Sequence, residues 1–265
     1  MNLLALGASL AVFGLAGLPA QDLPPWVLEL SRVKNHARAN FQRLPNYACL
    51  ETIARWERPA KASAFRPLDT LHLEVALVND KELFALAGAS FDTESPLVFI
   101  SRGAIGSGAF AAEARNLFVL DAARITARGG GREDGRTVLW YDFAMSEMLR
   151  SYQLQSGSAH ATVGEEGRFW VDAQTLDLLR IESRAVDIPF GFPIADVTTT
   201  ITYATVRIGS SDVILPETAD TLIAEAVGGQ QRNVIKFSGC REYGSESTIR
   251  FETPAVTPPA VPKKK

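Results

Sequence analysis

The stretch TLHLEVALV sets Leu71, Leu73, Val75 and Leu77 in alternation with His72, Glu74 and Ala76. Side chains repeat every two residues along a strand, so this spacing predicts one buried and one solvated face. NDK follows as a turn into ELFALAG, which makes a hairpin. The signature returns along most of the chain. NYACLETIARWER reads as an earlier strand, and ITARGGGREDGRTVLWYDFAM as a hairpin with a glycine-rich, charged tip. RSYQLQSGSAHATVGEEGRFWVDAQTLDLLRIESRAVDI reads as strands separated by SGS, GEEG and DAQT. VTTTITYATVRIG, VILPETADTLIAEAV and QRNVIKFSGCREY add three more, with a short closing strand at STIRF. Turn signals at these intervals, without strand–helix alternation, predict an antiparallel meander of about ten strands. The expected fold class is mainly β with some α: a curved antiparallel sheet, or unclosed β-barrel, with helices covering it.

Two segments break the period of two. In residues 25–44, Trp26, Leu30, Val33, Ala37, Phe41 and Leu44 recur at steps of four or three and make one apolar stripe of a helix. Arg32, Lys34, Arg38 and Arg43 lie mostly off that stripe, and Pro45 stops the helix. SPLVFISRGAIGSGAFAAEARNLFVLD reads as two short helical pieces divided by Gly103, Gly106 and Gly108. The glycines lack the Gly-Lys-Ser/Thr ending of a phosphate loop. Ser107 is flanked directly by Gly106 and Gly108, which is not the spacing of a nucleophile elbow. A flexible joint in a lid and a simple turn between helices both fit.

The ends point to a compartment. Residues 1–20 carry no charged side chain and are almost wholly apolar from Leu3 to Leu18. That run is short for a membrane span and suits a secretory signal cut after Ala20, with an uncleaved anchor as the alternative. Residues 253–265, TPAVTPPAVPKKK, are too proline-rich and polar to form a core and are expected to be a disordered tail. Lys263, Lys264 and Lys265 either solubilise that tail or give it a weak attraction to an anionic envelope surface. Residues 21–252 are expected to be one domain. The formal net charge is −3 with those three lysines included, so the body is more acidic still. Without a basic stripe, nucleic acid is excluded as a partner.

Cys49 and Cys240 are the only two cysteines and stand near opposite ends of the body. In an exported chain they read as a disulfide, the alternative being two separate buried thiols. His36, His72 and His160 are scattered, and no Cys or His pair has ligand spacing, so neither a metal site nor a cofactor is expected. A nucleophile with an oriented base has no local signature here, so a hydrolase ranks last among the functions and no catalytic residue is assigned.

The hairpin GRFWVDAQTLDLLRIESRAVDIP is the most informative stretch. Asp172 and Thr175 flank a tight turn, where an Asp carboxylate accepts backbone N–H groups. Leu179, Ile181 and Ala185 share one face beyond it, and Arg180, Glu182 and Arg184 the other. Trp170 falls on the face of Arg168 and either covers the sheet or touches a ligand. The pattern FWVDAQTLDLLRIE resembles the central hairpin of the outer-membrane lipoprotein carrier and sorting (LolA/LolB-like) family. LPNYACLETI, GAIGSGAF, RFWVDAQTLDLLRIE and RNVIKFSGCREY together also resemble a group of uncharacterised secreted bacterial proteins, which implies no function. The first resemblance implies a periplasmic half-barrel whose helices cover the inner side and whose apolar space holds lipid chains. The expected function is therefore an envelope binding protein for an acyl chain or another amphipathic ligand, with a lipid or a lipoprotein acyl chain as partner. The alternative is an envelope scaffold with a filled core. Leu97, Val98, Phe99, Ile105, Phe110 and Trp170 are the candidate lining of a cavity beneath the mid-chain segment.

Overall fold

The computed structural model describes residues 23–148 and 152–244. The expected N-terminal signal, the lysine-ended tail and the short strand expected at STIRF lie outside the described residues.

Helix α1 (Pro25–Arg43) starts on proline, whose fixed φ suits the first helical position, and ends where Leu44 turns extended ahead of Pro45. Its stripe packs inward through Leu30, Val33, Ala37 and Phe41, while Trp26 stays 49% exposed. Asn40 ties the helix to the sheet: its Nδ2 donates to the Ile214 carbonyl (3.0 Å) and its Oδ1 accepts from the Ile214 N–H (2.9 Å).

The strands are β1 (Tyr47–Arg58), β2 (Arg66–Val78), β3 (Lys81–Leu86), β4 (Arg124–Glu133), β5 (Arg136–Met145), β6 (Gln153–Ser156), β7 (Ala159–Thr162), β8 (Gly164–Asp172), β9 (Leu178–Val186), β10 (Ile194–Ile208), β11 (Ser211–Glu225) and β12 (Gln230–Glu242). Ten form a single antiparallel sheet in the order β3-β2-β1-β12-β11-β10-β9-β8-β5-β4. β3 and β4 stand at its two ends, so the barrel is unclosed, and β6 and β7 make a separate hairpin. Between β3 and β4 the chain forms a 3₁₀ turn (Pro96–Phe99), a glycine-bearing strap and helix α2 (Ala112–Phe118). The two helical pieces expected in this segment are therefore both present.

Three local features differ from the sequence pattern. GEEG, expected as a separator, opens β8. A Cβ at Gly167 would collide with the Glu182 carbonyl and the Phe143 ring, so glycine here is demanded by close strand packing rather than by a turn. Gly129, Gly130 and Gly131 lie within β4, and the hairpin tip is Asp134–Gly135, both with positive φ. A register shift between Trp170 and Val171 brings Leu178, rather than Leu179, into the core beside Ile181.

Apolar side chains on the inner face gather in three clusters. One surrounds Tyr47, Val75, Phe110 and Phe237, and a second lies between α1, α2, β5, β8 and β9. A third, smaller one joins Leu154 and Val163 to Val197 and Ile223. β1 pairs with β12 along its length, and this pairing carries the Cys49–Cys240 disulfide across 191 residues of chain. The bridge restricts the unfolded chain most where the loop is longest. The Cys49→Ala/Cys240→Ala variant should lose about 2–5 kcal/mol of unfolding free energy in urea titration. Non-reducing peptide mapping of the exported protein should recover one cross-linked pair.

Candidate functional site

The inner face is not filled throughout. A groove of about 1120 Å³ lies between the sheet and the mid-chain segment. Its floor includes Ser183, Val197, Thr199, Ile201, Thr221 and Ile223 from β9, β10 and β11. The strap from Ile100 to Gly108 covers it, and Tyr152 to Gly157, at the β6 hairpin, stands at its side.

The strap is held to the sheet by polar contacts. Arg55, on β1 and only 2% exposed, donates through Nη1 to the Arg102 carbonyl at 2.9 Å. Its other nitrogens are taken by Asp69: Nε donates at 2.7 Å and Nη2 at 2.5 Å. These bonds hold the Asp69 carboxyl below its usual range. The Ala104 N–H donates to Gln231 Oε1, and Gln231 Nε2 donates to Glu225 at 2.6 Å. Gly103 has φ +80°, and a Cβ there would strike Gln231 and crowd Leu68 and Arg55. Glycine thus lets the strap take a left-handed turn and lie close upon the floor.

Beneath the strap, one polar position follows another across the strands. Arg55 is opposite Asn233, Asn233 opposite Thr221, Thr221 opposite Thr199 and Thr199 opposite Ser183. The Thr199 and Thr221 hydroxyls are 3.1 Å apart and share a hydrogen bond. Asn233 is 1% exposed, and neither amide atom has a hydrogen-bond partner among the described residues. Each such group left unpaired costs about 1–3 kcal/mol, so the row is a departure from an apolar core.

Two carboxyls lie on the inner face of β1 and β3, Glu51 buried and Glu82 half-buried. Glu82 Oε1 accepts from the N–H groups of Ala111 and Ala112, each at 2.8 Å, and so receives the start of α2. Burial nonetheless raises its pKa. Glu51 lies on the inner face of β1, and its Oε2 has no hydrogen-bond partner among the described residues. Burial, reinforced by Glu82, pushes the Glu51 carboxyl up to about 8.

The six candidate lining residues part company. Leu97 and Ile105 line the groove. Val98 points to solvent at 65% exposure. Phe99 packs against the first core cluster. Phe110 is 3% exposed, with its ring centroid 5.0 Å from that of Tyr47 and 5.4 Å from that of Phe237. Trp170 stands on the other face of the sheet, where the Arg180 guanidinium is 4.0 Å and the Arg168 guanidinium 5.9 Å from its ring centroid. There it borders a shallow outer hollow of about 630 Å³ with Arg128, Asp142 and Glu182. Asp172 has a structural task, since its Oδ1 accepts from the Gln174 and Thr175 N–H groups. His36 is bonded to Asp177 at 2.7 Å, and His72 faces Thr52. The polar row escaped sequence reasoning. Its one local sign is that Asn233 shares the alternating face of Ile235 and Phe237.

No protein-family model matches the chain, and no curated protein does. Solved structures do. A domain of a putative outer membrane lipoprotein-sorting protein from Vibrio parahaemolyticus is similar at 13% identity and a TM-score of 0.43, over 82% of this chain and 93% of that one. A DUF1329 family protein from Desulfovibrio piger is similar at 13% identity and a TM-score of 0.44, over 86% of this chain and 98% of that one. A LolA superfamily protein from Nitrosomonas europaea is similar at 11% identity and a TM-score of 0.37, over 81% and 93% respectively.

Core and cover respond differently to substitution. Phe110→Ala should cost about 3–5 kcal/mol in urea unfolding, as for other fully buried aromatics. Glu51 retains its proton in the fold and loses it in the unfolded chain between its usual value near 4.5 and about 8. Stability therefore falls as pH rises through that window, by at most about 1.4 kcal/mol per pH unit. Glu51→Gln, which mimics the protonated acid, should flatten the decline. An unchanged decline in the variant would show that Glu51 is not its source.

Proposed function

We propose that this protein is a non-catalytic binding protein of the bacterial envelope that takes an amphipathic ligand, such as a lipid acyl chain, into the strap-covered groove. The observation that carries this reading is the groove itself, a space of about 1120 Å³ left between an otherwise packed sheet and a cover bearing glycines. That volume exceeds the ~300–1,000 Å³ usual for small-molecule sites and suits a long ligand. Leu97, Ile105, Val197, Ile201 and Ile223 offer an apolar wall to a hydrocarbon chain. The strap is fastened by single hydrogen bonds and by the exposed Arg102–Glu57 ion pair, which a ligand can exchange without disturbing the core. Export is supported by the apolar N-terminal run and by a disulfide, a bond that forms and persists in oxidising compartments and is rare in the cytosol. Among the described residues no helix is long and apolar enough to cross a membrane.

Lipid extraction of protein purified from its native envelope, followed by mass spectrometry, tests the reading. A co-purifying amphipathic species is expected. Ile105→Trp, which fills the groove from the strap side, should weaken binding of a fluorescent fatty-acid probe roughly tenfold while leaving the melting temperature close to that of the parent. A parent protein that retains no lipid and binds no probe would favour a scaffold with a filled core.

A further inference from the structure

The groove is not the uniformly apolar slot that a hydrocarbon chain requires. Ser183, Thr199 and Thr221 line its floor side by side, on three neighbouring strands, between Val197 and Ile223 on one side and Ile201 on the other. Asn233 continues their row beneath the strap, and its amide is buried without a partner among the described residues. The strap crosses the row at this point. Gly103 lies over Arg55 and Gln231, and Gly106 lies over Thr221, the two flanks of Asn233.

We infer that this row is a head-group subsite that selects a neutral, hydroxyl- or ester-bearing head, as in an acylglycerol, over a plain hydrocarbon or a charged carboxylate. This rests on the groove reading and names the ligand class within it. Hydroxyls and an amide each offer both donors and acceptors, the complement of hydroxyl and ester groups. The cation at the end of the row, Arg55, is already engaged by the Asp69 carboxylate, so the row has no unspent positive charge for an anionic head. The shared bond between Thr199 and Thr221 leaves one hydroxyl proton and several lone pairs for a ligand. With the strap lifted, the Asn233 amide gains the partner that the closed protein denies it. A polar group buried at a cost in the empty protein is then recovered in the complex.

Full-length protein is titrated with 1-monooleoylglycerol, oleate and hexadecane, each delivered from cyclodextrin. The glycerol ester should bind about tenfold tighter than either of the others, the size expected when a built polar site gains its partner. The Thr199→Val/Thr221→Val variant should erase that advantage by weakening ester binding while hexadecane binds at least as tightly as to the parent, whereas Thr199→Ser/Thr221→Ser should keep it. Asn233→Leu supplies a separate readout: a higher melting temperature for the empty protein together with weaker binding of the ester. Equal affinity for ester and hexadecane, oleate binding as tight as the ester, or full ester affinity in the Thr→Val variant would overturn the inference while leaving the groove reading intact. Failure of all three ligands to bind would overturn both.

Discussion

A ten-stranded antiparallel sheet has more inner surface than its helices can cover. At ~4.8 Å between strands the sheet is roughly 43 Å across. Helix α1, with 19 residues, is about 28 Å long, and α2 has only seven residues. An apolar face left open to water would be a liability at every uncovered strand. The chain responds with two kinds of cover. Around α1, α2, β5, β8 and β9 the core is filled by ring against ring, as where Phe169 meets Phe118 and Tyr141. Over β9–β12 the cover is a strap of loop, which cannot interdigitate as a helix does, and the groove is the space that remains.

A loop laid over a sheet brings its own unsatisfied backbone groups, which must find partners or water. The inner face supplies some of these partners. Arg55 receives the Arg102 carbonyl, Gln231 receives the Ala104 N–H, and Glu82 receives the N–H groups at the start of α2. Polar side chains on an inner face are expensive, which is why most of that face is apolar. Glu51 and Asn233 bear the cost without a matching contact from the strap. Burial without a partner makes both groups unfavourable in this arrangement, and for Glu51 the cost depends on pH.

The outer face obeys a different rule. Arg128, Asp142 and Arg168 pair across β4, β5 and β8, and Arg180 joins Glu133 while stacking on Trp170. Exposed pairs of this kind contribute little stability each. They keep a broad sheet surface charged and hydrated, which discourages sheet-on-sheet association. Trp170 belongs to this layer: its large ring is covered by guanidinium planes rather than by the core.

The strands were legible because a period of two is a local property, written in Leu71, Leu73, Val75 and Leu77 by the need to bury one face. Helix α1, its proline stop, the Asp172 turn and the pairing of the only two cysteines were legible for similar reasons, each needing only neighbours in sequence or simple counting. GEEG misled because glycine serves both turns and close strand packing, and only the position of the Phe143 ring distinguishes them at Gly167. Alternation says which residues share a face but not which strands are neighbours. It therefore could not reveal that Asn233, Thr221, Thr199 and Ser183 meet in one row, since that depends on the exact register of four successive strands, which a bulge such as that at Thr202/Tyr203 resets. Nor could it separate Leu97 and Ile105, which face open space, from Phe110, which is wedged between two rings. Sequence by itself determined a half-buried antiparallel sheet with two interruptions. Tertiary structure decided which interruption fills the core and which spans a gap, because covering a curved face depends on the lengths and positions of every element at once.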